Sequence, residues 1–390
     1  MRQPRVCIFA EYLYPMVSGG RVPFAGGIEA QLALIGRGLV RCGFDVSVVT
    51  CDYGQPDRLR LDGMMLLKCY PPHSGLPVAR FFHPRLTLGV ASLLRADADI
   101  YVFEGAALWA GIVRELAAAK GRKFVWLVAH DHDVMRELPD VVGVRDRTLV
   151  RRAIARADAI VSQTENQQRR LREEFGRDSV VIPNAVELPP EARVVDAGRN
   201  AGVVWLATYK PSKRPEWFTR FAGRHRAVRC RMAGVVPAPP MDDRCWREAQ
   251  SVAAATPNLE LHSTVPHETV GEFLQDSALL AHSSCSEGFP NVFLEAWAYG
   301  LPSVTSFDPD GILERERLGA CREDYGAWES ALERRLSDPA MRRAEGARAR
   351  AYVCQSHAPD RIHGRLAEVL HRVLRDSSTG VSREMRIPVG

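Results

Sequence analysis

Short apolar runs alternate with helical segments along most of this chain. Between the first two runs lies segment 26–43, GGIEAQLALIGRGLVRCG, which has helical periodicity and ends at a glycine. Apolar strands separated by helices predict parallel sheets covered by helices on both faces. The runs that predict strands fall at positions 6–12, 46–51, 64–70, 100–105, 123–130, 159–164, 203–208, 228–235, 259–265, 278–284 and 302–307.

The alternation pauses in segment 180–202, which holds three prolines, and strongly helical sequence runs from about 325 through 375. We therefore expect an α/β protein with two Rossmann-like parallel-sheet domains. Ligands of such sheets bind at the carboxyl ends of the strands, which places the chemistry in a cleft between the domains. The predicted divisions are a first domain at 1–185, a linker at 186–200, a second domain at 201–355, a C-terminal helix returning to the first domain at 356–376, and a polar tail at 377–390.

Composition excludes several classes of protein. The 390-residue chain has no run of 18 apolar residues, so no membrane-spanning helix is expected. The net charge of +5 comes without a nucleic-acid motif, which argues against nucleic-acid binding but permits phosphorylated substrates or anionic lipids as partners. The nine cysteines form no CxxC pair, and the first apolar run is too short for a signal peptide. Free thiols in the cytoplasm are the expectation.

The segment SEGFPNVFLEAWAYGLPSV keeps two glutamates in an otherwise apolar helix. Glu287 follows a predicted strand, and Glu295 lies eight residues further on, a helical rise of about 12 Å. Carboxylates accept hydrogen bonds from vicinal hydroxyls, such as those of sugars and riboses. The helix opening between them has unpaired amides that favour a pyrophosphate. A capping glutamate followed by a partly exposed one is the structural alternative.

Gly26 and Gly27 follow the first strand and open a helix, where glycine lets backbone N–H groups approach a phosphate. A nicotinamide-binding loop is the competing interpretation. It is disfavoured because the GxGxxG pattern is absent and the loop from the strand to Gly27 is too long.

The sequence His130-Asp131-His132-Asp133 follows a predicted strand. Four such residues could in principle ligate a metal, but neighbours at a strand end point in different directions. We therefore predict no metal site there. A turn rich in capping side chains is the other interpretation.

The segment with the two glutamates closely resembles the donor site of the family-four glycosyltransferases, which are retaining enzymes of the GT-B fold (glycosyl transferases group 1). Four further stretches resemble family segments in the right order. They are GGIEAQLALIGRGLVRCGFDVSVVT, VVIPNAVE, VVWLATYKPSKRPEWF and VPHETVGEFLQDSALLAHSS. The resemblance covers nearly the whole chain and implies a GT-B protein whose second domain binds a nucleotide sugar.

The family's functional positions imply roles for specific residues. Glu287 would hold the transferred sugar, Glu295 the ribose, and Lys213 the leaving diphosphate. The usual family arginine falls on Thr208, so either Arg214 or Lys210 compensates or the cationic clamp on the diphosphate is weaker. His130, with Asp131 and Asp133 as alternates, would lie near the reacting centre. The implied catalytic residues are His130, Glu287 and Lys213, and the implied donor-binding residues are Gly26, Gly27, Thr208, Lys213, Arg214, Glu287, Gly288, Phe289, Pro290, Asn291, Val292 and Glu295.

The function implied by the resemblance is metal-independent transfer of a hexose or hexosamine from a UDP- or GDP-sugar to an acceptor hydroxyl, with retention of configuration. No cofactor besides the nucleotide sugar is expected. A saccharide or lipid-linked acceptor of envelope or polysaccharide synthesis is the expected partner, with a small soluble acceptor as the rival. The alternatives are a GT-B epimerase or phosphorylase, and a non-catalytic nucleotide-sugar-binding subunit.

Segment 145–160, RDRTLVRRAIARADAI, places Arg145, Arg152 and Arg156 at helical spacing. A basic amphipathic helix of this kind could contact an anionic membrane peripherally. Because aromatic residues are missing and acids interrupt the patch, a solvated helix face is favoured.

Overall fold

The computed structural model describes residues 2–19, 26–72, 81–199, 202–237, 242–263, 265 and 269–376. Several predictions fall partly outside this range. They concern the loop residues 20–25, position 200 of the linker, position 201 of the second domain, position 264 of the predicted strand 259–265, residues 266–268 of the segment VPHETVGEFLQDSALLAHSS, and the polar tail 377–390.

The first domain is built on one sheet, in which neighbouring strands are parallel except for an antiparallel edge pair. The strands pair in the order β3-β4-β2-β1-β5-β6-β7-β8. Their bounds are β1 (Arg5–Phe9), β2 (Asp45–Thr50), β3 (Arg58–Leu61), β4 (Met64–Lys68), β5 (Ile100–Glu104), β6 (Lys123–Leu127), β7 (Ala159–Ser162) and β8 (Val180–Val181).

The second domain is built on a fully parallel sheet with the strand order β11-β10-β9-β12-β13-β14. Its strands are β9 (Val203–Leu206), β10 (Cys230–Ala233), β11 (Leu259–His262), β12 (Leu279–Ala281), β13 (Ser303–Thr305) and β14 (Gly319–Cys321). The predicted two-domain α/β architecture is confirmed. The strands that the apolar runs did not predict, β3, β8 and β14, are short or carry charged residues on an exposed edge.

Helices cover both faces of each sheet. Those before β9 are α1 (Leu13–Val17), α2 (Gly27–Arg41), α3 (Thr87–Ala96), α4 (Leu108–Ala119), α5 (Val144–Arg156) and α6 (Glu165–Phe175). Those after β9 are α7 (Pro215–Arg224), α8 (Arg244–Ala254), α9 (Val270–Gln275), α10 (Asn291–Ala298), α11 (Ile312–Arg315), α12 (Tyr325–Ser337), α13 (Pro339–Ser356) and α14 (Pro359–Arg375). Short helical turns of other types occupy Phe81–Leu86, Asp131–Val134, Glu191–Arg193, Pro211–Lys213 and Pro309–Gly311.

Strand β5 illustrates why the first sheet is buried on both faces. Tyr101 and Phe103 belong to the apolar core on one side of the sheet, whereas Ile100 and Val102 belong to the core on the other. Because side chains alternate along a strand, Glu104 continues the face of Ile100 and Val102. An acidic side chain therefore ends a strand that is otherwise apolar.

The C-terminal helix α14 packs against the first domain. Ile362, Leu366 and Leu370 belong to the same apolar core as Ile100 and Val102 of β5. The chain thus passes between the domains a second time just before α14, after its first passage in the segment that follows β8. The two passages touch, since the Val186 backbone N–H donates to the His357 carbonyl over 3.2 Å.

Helix α5 carries the arginines of the predicted basic face. Its buried side packs through Val150, Ala153 and Ile154. Arg145 pairs with Asp146 at 2.8 Å, and Arg152 with Glu115 at 2.8 Å. These ion pairs partly neutralise the positive charge of the patch, which agrees with the solvated helix face that the sequence favours. Among the described residues, no helix is both long enough and apolar enough to cross a membrane.

Two buried histidines make the stability of the fold depend on pH. His357 is inaccessible to solvent, with Nδ1 2.7 Å from the Asn184 carbonyl oxygen, and burial lowers its pKa to about 4. Burial lowers the pKa of His363, in α14, to about 4 as well. Because the unfolded chain binds these protons near pH 6.5 and the folded chain does not, each histidine makes the folded state less stable as the pH falls from about 6.5 towards 4.

This effect can be isolated by comparing His357→Gln and His363→Gln with the wild type. Each variant should lose less unfolding free energy than the wild type between pH 6.5 and 4.5, since other titrating groups cancel in the comparison. Each pKa unit corresponds to about 1.4 kcal/mol. Urea denaturation at the two pH values provides the measurement. An unchanged pH dependence in both variants would show that these rings titrate normally in the folded protein.

Candidate functional site

Both sheets reverse their strand order next to their first strand. In the first sheet β2 and β5 flank β1, and in the second sheet β10 and β12 flank β9. Ligands of parallel sheets bind outside the carboxyl ends of the strands at such reversals. A cavity of about 430 Å³ lies there between the domains, with walls that include Gly27, Glu104 and His130 from the first domain and Lys210, Glu287 and Glu295 from the second.

Glu287 is the most constrained acid of this cavity. It is 8% exposed, forms an ion pair with Lys213, and lies 3.4 Å from His282 Nε2. Burial by itself raises the pKa of Glu287, but the nearby charge of Lys213 and the contact with His282 outweigh it and hold the pKa well below its usual value. The side chain is therefore a carboxylate at neutral pH and remains able to accept hydrogen bonds.

The loop after β9 supplies the cations of the cavity. Thr208, Lys210 and Lys213 all line the wall. The pKa of Lys210 is lowered by partial burial and by the neighbouring charge of Lys213. Of the two residues proposed to replace the family arginine, Lys210 is thus the one that the structure brings to the cavity.

Arg214 does not line this cavity and is held by its own domain. Its Nε donates to the Ser283 carbonyl over 2.6 Å, and its guanidinium lies 4.0 Å from the ring centre of Trp217. The sequence motif places Arg214 next to Lys213, but its turn directs the side chain towards the strand end. Its observed contacts fix the loop against β12.

The turn between Glu287 and α10 joins the two domains. Pro290, Asn291 and Val292 open α10 and line the cavity. The Phe289 N–H donates to Gln163 Oε1 over 3.1 Å, and Asn291 Nδ2 donates to the Gly27 carbonyl over 2.8 Å. The residues predicted to hold the donor therefore also fix the relative position of the domains.

Two glycines lie at close approaches in this contact, and at Gly288 the neighbour is backbone. A Cβ on Gly288 would overlap the Ala129 carbonyl oxygen at the end of the first domain's sheet. A Cβ on Gly27 would lie 2.8 Å from Asn291 Nδ2. Gly26, which precedes α2, donates its N–H to Glu29 Oε2 over 2.8 Å and lines the cavity as well. The glutamate loop thus approaches Ala129 closely because Gly288 has no side chain, and it contacts the glycine loop through the Asn291 side chain.

The four residues from 130 to 133 separate into different roles. His130 lines the cavity, and burial, followed by the charge of His132, lowers its pKa. Asp133 is buried and accepts backbone N–H groups of Ala129 and His130, both at 2.9 Å. Burial raises the pKa of Asp133 to about 6. Asp133 therefore shapes the turn rather than facing the cavity.

Asp131, the other alternate, bonds to helix α6. Its carboxylate accepts from Asn166 Nδ2 and Gln167 Nε2, each at 3.1 Å. His132 pairs instead with Asp140, with Nδ1 and Oδ2 2.8 Å apart. Within the described part of the chain, His130, His132 and Asp140 have potential ligand atoms within 4.8 Å of one another. This group differs from the His-Asp-His-Asp tetrad considered in the sequence.

Sequence reasoning missed several residues of the site. Glu104 ends strand β5 and lines the cavity, and His282 packs edge-on against Phe293 with ring centres 4.7 Å apart. Gln163 follows β7 directly and bonds to Phe289. All three stand at or just after the carboxyl end of a predicted strand, which is the signal that could have identified them.

Family models match most of the chain. A glycosyl transferase 4-like domain matches residues 26–185, and a glycosyl transferases group 1 domain matches residues 200–338. The chain therefore belongs to the group 1 glycosyltransferases and is a transferase enzyme. No curated protein matches it in a sequence search.

Solved structures show the same GT-B fold. Sucrose-phosphate synthase from Thermosynechococcus elongatus is 16% identical with a TM-score of 0.77, over 96% of this chain and 100% of that one. HepE from Anabaena, solved with UDP and glucose, is 14% identical with a TM-score of 0.72, over 95% and 100%. The catalytic domain of starch synthase IV from Arabidopsis thaliana, bound to ADP and acarbose, is 14% identical with a TM-score of 0.70, over 97% and 99%.

Replacing Gly288 with alanine tests the contact between the domains. The added Cβ meets backbone at Ala129, which cannot move without shifting a strand end. Overpacking of this kind should lower the free energy of unfolding by about 1–3 kcal/mol. Chemical denaturation measures this change.

The matched control is Gly223→Ala in α7, where a Cβ meets no atom within 4 Å. It should leave stability unchanged or raise it, because alanine favours a helix over glycine. If Gly288→Ala were as stable as this control, the turn would not pack against Ala129 in solution.

Proposed function

We propose that this glycosyltransferase moves a hexose or hexosamine from a UDP- or GDP-sugar to an acceptor hydroxyl, with retention of configuration and without a metal ion or other cofactor. The observation that carries this proposal is the buried Lys213–Glu287 pair in a cavity that Glu295 also lines. It combines a carboxylate for sugar hydroxyls with a cation for the leaving phosphate.

The donor would extend along the second domain. Glu287 accepts hydrogen bonds from the hexose hydroxyls, and Glu295, two helical turns along α10, accepts those of the ribose. The diphosphate lies between them, against the start of α10 and the ammonium groups of Lys213 and Lys210. The UDP and glucose found in the HepE structure, and the UDP-glucose found in another, support a donor of this class.

Transfer with retention would follow a front-face reaction. The acceptor oxygen bonds to the sugar C1 on the face from which the diphosphate leaves, and the C1–O bond to phosphate breaks. The acceptor proton passes to the leaving phosphate oxygen. Lys213 and Lys210 stabilise the charge that develops on that phosphate, as fixed cations do in a water-poor site. Glu287 orients the sugar and does not attack it, and His130 stands beside the reacting centre.

The acceptor would be a saccharide, free or lipid-linked, of envelope or polysaccharide synthesis. Related structures that hold saccharides support this class, among them starch synthase IV with acarbose and TarM with α-GlcNAc-glycerol. Nine free cysteines support a reducing compartment, and we place the enzyme in the cytoplasm. As an extension of this proposal, the arginines of α5 would contact a membrane peripherally.

Two variants separate the predicted ends of the donor. Glu295→Ala should weaken binding of both the bare nucleotide and the nucleotide sugar. Glu287→Ala should weaken binding of the nucleotide sugar while leaving the bare nucleotide less affected. Losing a hydrogen bond to a charged group costs about 1.5–3 kcal/mol, or roughly 10- to 100-fold in affinity.

Isothermal titration with UDP, GDP, UDP-glucose, UDP-N-acetylglucosamine and GDP-mannose measures these effects. Glu216→Ala, in the first turn of α7, provides a control outside the cavity. Normal binding of every ligand by both cavity variants would contradict this placement of the donor.

Metal independence and retention are tested on the same donors. Turnover, followed as release of UDP or GDP, should be unchanged by excess EDTA, because lysines supply the positive charge. Proton NMR of the first product formed should show the anomeric configuration of the donor. Loss of activity in EDTA, restored by Mn²⁺ or Mg²⁺, would contradict the metal-independent mechanism and direct attention to His130, His132 and Asp140.

A further inference from the structure

Glu104 occupies the same place in the first domain as Glu287 does in the second. Strand β5 lies beside β1, and β12 lies beside β9, so both are the strand across the reversal of strand order. Glu104 ends β5, and Glu287 follows the end of β12. Both acids line the cavity between the domains. The geometry thus presents one carboxyl group to the cavity from each sheet.

Unlike its acidic neighbours, Glu104 has a carboxyl oxygen without a partner. It is 8% exposed, and no described residue forms a hydrogen bond with its buried Oε2. By contrast, Glu29 accepts from the Gly26 N–H at 2.8 Å, and Asp133 accepts backbone N–H groups of the turn after β6. A buried polar atom without a partner costs free energy. A ligand that enters the cavity can remove this cost.

The charges around Glu104 indicate which kind of group would meet it. Burial, and then the nearby carboxyl groups of Glu29 and Asp133, raise the pKa of Glu104 well above its usual value. A protonated carboxyl both donates and accepts hydrogen bonds, as a sugar hydroxyl does. It brings no positive charge to a phosphate, and the lysines that line the cavity belong to the other domain. We therefore expect Glu104 to hydrogen-bond a neutral hydroxyl of a ligand, on the side of the cavity opposite the proposed diphosphate site.

We propose that Glu104 forms part of the acceptor subsite, where its carboxyl hydrogen-bonds a hydroxyl of a pyranoside acceptor. This inference rests on the proposed function, because it needs a donor sugar held by the second domain. Glu104 then fixes the acceptor against the first domain, and its residue type contributes to which acceptor is used.

The test compares Glu104→Gln with Glu104→Leu. The donor is whichever of UDP-glucose, UDP-N-acetylglucosamine and GDP-mannose the wild type hydrolyses. The acceptor probes are the methyl pyranosides of glucose, galactose, mannose and N-acetylglucosamine. For the best probe, Glu104→Leu should lower kcat/KM by about 5- to 100-fold, mainly through KM, because leucine leaves the acceptor hydroxyl buried without a hydrogen-bond partner. Glu104→Gln keeps a neutral donor and acceptor and should stay within about threefold.

Two readouts without an acceptor serve as controls. Binding of UDP or GDP, measured by isothermal titration, should be the same in both variants as in the wild type, because the proposed nucleotide site belongs to the second domain. The melting temperature of Glu104→Leu should not fall, since the substitution removes a buried polar atom that lacks a partner.

The outcomes are distinguishable. A wild type that binds and hydrolyses none of the donors would overturn the proposed function and this inference together. Donor hydrolysis without transfer to any pyranoside would overturn only the acceptor assignment. So would an unaffected Glu104→Leu, or one that loses nucleotide binding as much as transfer. An equal loss in Glu104→Gln would show that the acceptor hydroxyl needs an ionised carboxylate, and would overturn the neutral hydrogen bond inferred here.

Discussion

The ion pair between Lys213 and Glu287 is the interaction on which the cavity depends. A carboxylate buried this deeply is stable only beside a positive charge, and the pair ties the loop after β9 to the loop after β12. His282 contacts the same carboxylate from within the sheet edge, and Arg214 holds the lysine loop through the Ser283 carbonyl. The loops at the reversal of the second sheet are thereby fixed before any ligand is present. Charged groups that are already fixed in place can stabilise developing charge without reorganising.

The glutamate loop also determines how the two domains meet. Its glycine and its Phe289 N–H contact the end of the first sheet, and Asn291 reaches the glycine that opens α2. A further contact comes from Asp310, whose carboxylate accepts the N–H groups of Glu165 and Asn166 at 2.7 and 2.9 Å. There a residue of the second domain caps a helix of the first, where unpaired amides favour an anion. Several residues that we propose to bind the donor therefore also make the contact between the domains.

The sequence predicted the fold well because its signal is local. Apolar strands separated by helices indicate parallel sheets, and glutamates after a strand point to the carboxyl edge where ligands bind. Contacts between domains leave no such signal. The sequence around Gln163 or Asp310 does not indicate that either residue hydrogen-bonds to one more than a hundred positions away. The direction of a side chain is equally hidden, as Arg214 demonstrates, because a single turn decides whether it faces the cavity or the sheet. Glu104 could have been predicted as a site residue, because it is the acidic last residue of an otherwise apolar strand.

Helix α14 has a consequence for how the protein is made. Its apolar side covers the core that Ile100 and Val102 share, yet it follows the whole second domain along the chain. Until α14 has emerged from the ribosome, the part of this core that α14 covers remains open to water and to other nascent chains. The first domain therefore cannot complete its folding independently, and the contact that closes it is among the longest in sequence separation, a kind that forms slowly. Completion of the first domain's core is therefore a late event that follows synthesis of the second domain.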